Sequence, residues 1–359
     1  MSMEKANPQQ GFTLLEMMVA MALGLIVMGA MASLFKMGMN SMMTVTQRAD
    51  TQANMRAAVD LVAKDLSLAG AGLPTGGIQL PTGTGNNGAS RFGCDATTCH
   101  LPATSYPTGN YMYGIIPGNS NGVEGAATIT AAPSARNDSI TVVYADYNFP
   151  LWEYNLNFTS AASGAAVSVV ANPSYIPAPP AITSAGGIQV GDLIMIQGGG
   201  LTAVGEVTGL TSASMAFANL DPLNINQDGA QSGNLKAIAA AVGTAQSVNA
   251  YRLFAVTYYL TVPGAGQKPR LMRQVNGLTP VPVADDIINL QLAFDVYNAG
   301  ALDANQPNPL GLAESPNNIQ KVNLFVMGQS ILNSSKNSQN MYLATSVSAR
   351  NMTFRNRYQ

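Results

Sequence analysis

Residues Gly11 to Phe35 read Gly-Phe-Thr-Leu-Leu-Glu-Met-Met-Val-Ala-Met-Ala-Leu-Gly-Leu-Ile-Val-Met-Gly-Ala-Met-Ala-Ser-Leu-Phe, an apolar run interrupted by a single acid, Glu16. As a helix, the 24 residues from Phe12 to Phe35 span roughly 36 Å, enough to cross a bilayer with some tilt. A secretory signal peptide has a shorter apolar core followed by a small-residue cleavage site, and neither feature is present. A carboxylate inside a membrane costs about 2.5 to 3.5 kcal/mol at the bilayer centre and normally marks a function or a partner. Glu16 is therefore read as a residue awaiting compensation rather than a stray acid on an anchor.

Outward from this run the helical pattern continues. Val45, Met55, Val59, Val62, Leu66 and Ala69 recur at spacings of threes and fours, and no proline occurs between Phe12 and Leu73. Lys36, Arg48, Asp50, Arg56, Asp60, Lys64 and Asp65 read as solvated positions. One helix is expected from about Phe12 to Ala69, stopped by Gly70, Gly72 and Pro74.

Beyond it the composition changes. Residues 71–125 are rich in Gly, Thr, Asn and Pro without sustained periodicity, and read as an irregular loop region able to form variable surface. From residue 126 to 359 short β-type runs dominate: 127–131, 139–147, 166–171, 188–197, 203–208, 214–217, 251–262, 270–276, 287–297, 320–328 and 343–354. Alternation in Asn289–Val296 and Lys321–Val326 indicates sheets with one buried face. The Pro-rich piece Asn172–Pro180 and the polar piece Asn224–Asn234 read as loops. With 47% hydrophobic residues the chain can bury a sizeable core, and with 10% charged residues and a net charge of -2 it has no global basic field to attract nucleic acid.

Before the apolar run, Met1 to Gln10 form a short polar leader carrying Lys5, and Gly11 stands at the polar to apolar junction. Together with Phe12, Thr13, Leu14, Leu15 and Glu16 this resembles a type IV prepilin leader. The resemblance implies cutting after Gly11 by a membrane prepilin peptidase, methylation of the new terminus at Phe12, and an ion pair between Glu16 and a neighbouring subunit's amino terminus that sets axial register. Ala63-Lys64-Asp65-Leu66-Ser67-Leu68-Ala69-Gly70 is similar to the helix-terminal signature of PilW-type minor pilins. Gly191–Ile196, Arg270–Arg273, Ile287–Tyr297 and Val347–Asn351 follow in that family's order.

The family implies an α+β, pilin-like lollipop: a long N-terminal helix packed by its second half on a large, mostly antiparallel β head. Its parts are a cleaved leader 1–11, a transmembrane and assembly helix 12–35, an amphipathic helix 36–70, the loop region 71–125 and the head 126–359. The implied role is a minor pilin that helps initiate type IV pilus assembly and sits at or near the fibre tip, supporting twitching motility and adhesion. The implied partners are other minor pilins, the major pilin, the inner-membrane assembly platform and, before assembly, membrane lipid. The implied location is the inner membrane with the head in the periplasm, then the extracellular pilus. There disulfides persist, and a bridge between Cys94 and Cys99 is favoured over two free thiols. A type II secretion pseudopilin, or an anchored adhesin with a ligand-binding head, is the alternative.

Catalytic chemistry finds little support. Gly264–Pro269 lacks the P-loop spacing, and Gly-x-Ser-x-Gly is absent. His100 is the single histidine and reads as a surface residue beside the cysteine pair, too few ligands for zinc. Asp285 and Asp286 read as a turn or strand start. Asn224–Gly229 partly imitates a calcium loop, but its twelfth position is Leu235 rather than glutamate, and Asx turns account for the same residues. No enzyme activity, cofactor or metal is expected.

Overall fold

A capping box starts the long helix. The Glu16 amide donates to Thr13 Oγ1 at 3.3 Å, and the Thr13 amide donates back to Glu16 Oε2 at 3.0 Å. In the computed structural model helix α1 then runs unbroken over Leu14–Leu68. The structure describes residues 11–81, 89–101, 106, 109–120, 123–124, 137–229, 232–264, 267, 269–298, 300–309, 315–330 and 339–352. The leader residues 1–10 and the expected strand 127–131 lie outside them. Among the described residues the chain divides at Asp50 into two compact units.

In the first unit every residue from 11 to 43 is exposed, and the most apolar window of the helix has a mean hydropathy of 2.2. Such a surface suits a bilayer or other helices rather than water. The second unit contains the rest of α1. There Thr51, Met55, Ala58, Val59, Val62, Asp65 and Leu66 are buried, a stripe with helical spacing that faces a sheet core. Gly70 and Gly72 turn the chain sharply at φ 77° and 73°; a side chain at Gly72 would strike Ala145 and Tyr147.

Strands β1 (Ile78–Gln79), β2 (Tyr111–Met112), β3 (Ile115–Gly118) and β4 (Val123–Glu124) are short and precede β5 (Ser139–Asp146), β6 (Tyr154–Phe158) and β7 (Ala166–Ala171). β8 (Leu193–Gly198) and β9 (Leu201–Glu206) form a hairpin, as do β10 (Gly209–Thr211) and β11 (Ser214–Ala216). After helix α2 (Leu235–Val242) come β12 (Asn249–Thr261), β13 (Arg270–Val275), β14 (Val281–Ala284) and β15 (Ile287–Asn298). β16 (Ala301–Gln306), β17 (Ile319–Gln329) and β18 (Asn340–Ser348) close the series.

β12 organises an eight-stranded sheet. One of its edges pairs with β5 and, in parallel, with β4; the other pairs with β8 near its start and β13 near its end. Among the described residues all other strand pairs in the head are antiparallel. A four-stranded sheet of order β16-β15-β17-β18 shares its inner face with α1, and another of order β10-β11-β7-β6 forms a separate core with α2.

The α+β architecture, a long N-terminal helix and a large β head, agrees with the sequence. Three details do not. The region 71–125 supplies Leu73, Ile78, Leu80, Phe92, Leu101, Tyr106 and Met112 to a third core on the far face of the central sheet. It is therefore not merely variable surface, and β5 is buried on both faces because of it. Helix α2 lies between the expected strands, in a stretch of the β-rich head to which the sequence pattern assigns no element; Asn234 caps it by accepting from the Ala237 amide, and Gly243 ends it at φ 69°. The Leu343–Phe354 strand is also shorter than expected, ending at Ser348.

Candidate functional site

The amino-terminal junction is open. Gly11 and Phe12 precede the first helical turn, both exposed, with Phe12 85% accessible. Glu16 occupies the third position of that turn, where Thr13 Oγ1 also donates to Glu16 Oε2 at 3.0 Å. The same carboxylate thus satisfies the helix start while remaining exposed. Thr13-x-x-Glu16 is a capping-box pattern visible in the sequence, a local role for Glu16 beside the one expected in assembly.

Asp65 is a correction: read as solvated, it is buried. It falls on the helix stripe between Val62 and Leu66, and partners from the sheet stabilise its charge. Tyr258 Oη donates to Oδ2 at 2.6 Å, Arg273 Nε donates to Oδ2 at 3.0 Å, and Tyr144 Oη donates to Oδ1 at 3.3 Å. Burial followed by the Asp65 charge raises both tyrosines above their ordinary range. Burial lowers Arg273, but its bond to Asp65, the Asp65 charge and Tyr258 together more than offset this, and its net shift is upward. The helix-terminal piece Ala63–Gly70 and the distant piece Arg270–Arg273 therefore meet at one ion pair.

A second buried pair orders the head. Arg252 Nε donates to Asp146 Oδ2 at 2.7 Å, its Nη1 donates to the Gly187 carbonyl at 2.6 Å, and its guanidinium lies over Phe254 at 5.3 Å. Glu206 and Asp221 are both buried; burial, then Asp221, holds the Glu206 carboxyl far above the usual carboxylate range. Asp221 accepts the Ile225 and Asn226 amides at 2.8 Å each.

The calcium-like stretch is used internally. Asn226 Nδ2 donates to the Glu206 and Ala218 carbonyls, Asn224 Nδ2 donates to the Ala89 carbonyl, and Asp228 Oδ1 accepts from Asn219. These bonds tie the loop to its neighbours, as Asx chemistry does.

Cys94 and Cys99 are joined by a disulfide. Burial raises the Asp95 carboxyl inside this loop, but bonds from Thr97, His100 and Thr98 hold it at about 2. His100 is not a free surface residue: it stacks on Tyr259 at 5.7 Å, and its Nε2 lies 3.1 Å from Asp95 Oδ2. Asp285 and Asp286 form the bend between β14 and β15, Asp286 at φ 61°.

Residues 6–32 match the family model described as the prokaryotic N-terminal methylation motif. No curated protein and no solved structure matches the chain. The motif implies processing by a prepilin peptidase and assembly with other pilins, and with the exposed apolar helix it implies membrane anchoring before incorporation into a fibre. The amino-terminal motif, the long apolar helix and the antiparallel head together support a type IV pilin-like protein.

Proposed function

We propose that this chain is a PilW-type minor pilin that helps initiate type IV pilus assembly and sits at or near the fibre tip, in support of twitching motility and adhesion. The observation that carries this reading is the methylation motif running into an apolar helix with no cover of its own, followed by a large, independently cored head. A bulky head suits a position where few neighbours repeat around it. Glu16 is the register contact with the subunit above, and no catalytic step is assigned to the protein. Two measurements test the reading. Mass spectrometry of the mature protein should find a chain beginning at methylated Phe12; an intact Met1 terminus in cells that make pili would refute it. Sheared fibres should contain the chain in low copy, whereas a need for it only in enzyme export would favour the pseudopilin alternative.

A further inference from the structure

Among the described residues, the β18 edge of the β16-β15-β17-β18 sheet pairs with no further strand. β18 reads Asn-Met-Tyr-Leu-Ala-Thr-Ser-Val-Ser, nine residues with neither charge nor proline, paired to β17 in unbroken register from Gln329↔Asn340 to Lys321↔Ser348. Natural sheets blunt such edges with charge, proline, bulges or short strands. The edges at β16 and β14 follow that rule. β16 carries Asp303 and a register shift against β15, while β14 has four residues, Pro282 and a shift of its own.

The core is also unfinished at this edge. On β17 the inward residues Val322, Leu324, Val326 and Gly328 are buried, but the β18 residues opposite them, Val347, Thr345, Leu343 and Met341, are only half-buried. An added strand with apolar residues at alternate positions would complete both the hydrogen-bond ladder and this face. We propose that β18 accepts such a strand from the head of a different subunit in the same fibre, an inference that rests on the assembly reading above.

A second copy paired antiparallel through its own β18 is the wrong occupant. Two copies joined antiparallel through β18 would share a two-fold axis along the sheet normal, which reverses every element lying along the sheet. The segment of α1 from Thr51 to Leu68 packs along the inner face, with Thr51 and Met55 against Gly328. Its amino-terminal ends would leave the pair in opposite directions, which a shared membrane does not accommodate.

The test is photocrosslinking of the full chain in its host, with a benzophenone amino acid replacing either exposed Ser346 on β18 or exposed Leu25 on the apolar helix. From Ser346 the expected adduct is to a strand in the head of another pilin-type chain. Ala344→Lys with Ser348→Lys, both at exposed positions, should abolish that adduct while leaving the Leu25 adduct and the thermal midpoint of the head unchanged. Absence of a Ser346 adduct, or an adduct only to a second copy, with the Leu25 adduct retained, overturns the edge assignment. Loss of both adducts in the unsubstituted protein overturns the assembly reading itself.

Discussion

Glu16 closes the capping box, and one substitution can separate this from the register contact proposed for it. Glutamine can close a capping box as glutamate does, but carries no charge for a neighbouring amino terminus. Glu16→Gln should therefore enter the membrane normally yet be absent from fibres, whereas Glu16→Ala should lose the cap as well; fibre incorporation of the glutamine variant at the unsubstituted level would leave the acid with capping alone. Asp65 makes a different prediction. Asp65→Ala strands Arg273 and Tyr258 against the core and should destabilise the head by about 3 kcal/mol in chemical denaturation. Glu206 sets a pH dependence. Its folded-state pKa is raised, so the unfolded chain releases this proton first as pH rises. Its contribution is fully present below the ordinary carboxylate pKa near 4.5 and declines as pH rises above it, by at most about 1.4 kcal/mol per pH unit. Glu206→Gln should flatten that decline in melts taken between pH 5 and 8, and an unchanged slope would remove Glu206 as its source.

Among the elements, α1 shows two chemistries in one continuous helix. Its first part is apolar all round, and its second has a buried stripe of threes and fours; both patterns are local and were readable from the residues. Alternation likewise marked β15 and β17, because each has one face in the core and one face outward. β6 and β16 were not among the expected strands: β6 alternates apolar and polar over only five residues, Tyr-Asn-Leu-Asn-Phe, β16 carries no apolar alternation, and neighbouring strands hold both in place. The loop closed by Cys94 and Cys99 is tied to the head where Gln274 Nε2 donates to the Cys94 carbonyl at 2.8 Å. Removing both cysteines, as Cys94→Ser with Cys99→Ala, should lower stability by about 2 kcal/mol, the chain-entropy value for so short a loop, without abolishing folding. No change in the denaturation midpoint would show that the Asp95 turn holds this loop alone.

At the scale of the whole molecule, the division at Asp50 separates a helix without a core from a head that owns the remainder of α1. A chain beginning at Thr51 should therefore fold alone and remain soluble, with the near-ultraviolet spectrum and cooperative melt expected of a packed domain. A non-cooperative melt would show that the head needs the first 50 residues for its structure.

By itself the sequence determined the amino-terminal methylation motif, the long helix, the β-rich head and the loop nature of Asn172–Pro180, since each depends on composition or periodicity within a single stretch. Only the tertiary structure decided which charges are buried. Asp65 looks solvated when read beside Lys64, and becomes a core residue because Arg273 and Tyr258, some two hundred positions away, converge on it. The same holds for residues 71–125, whose scattered apolar side chains acquire a common face only when the central sheet is present to receive them. Their burial is a property of long-range contact, which no local pattern encodes.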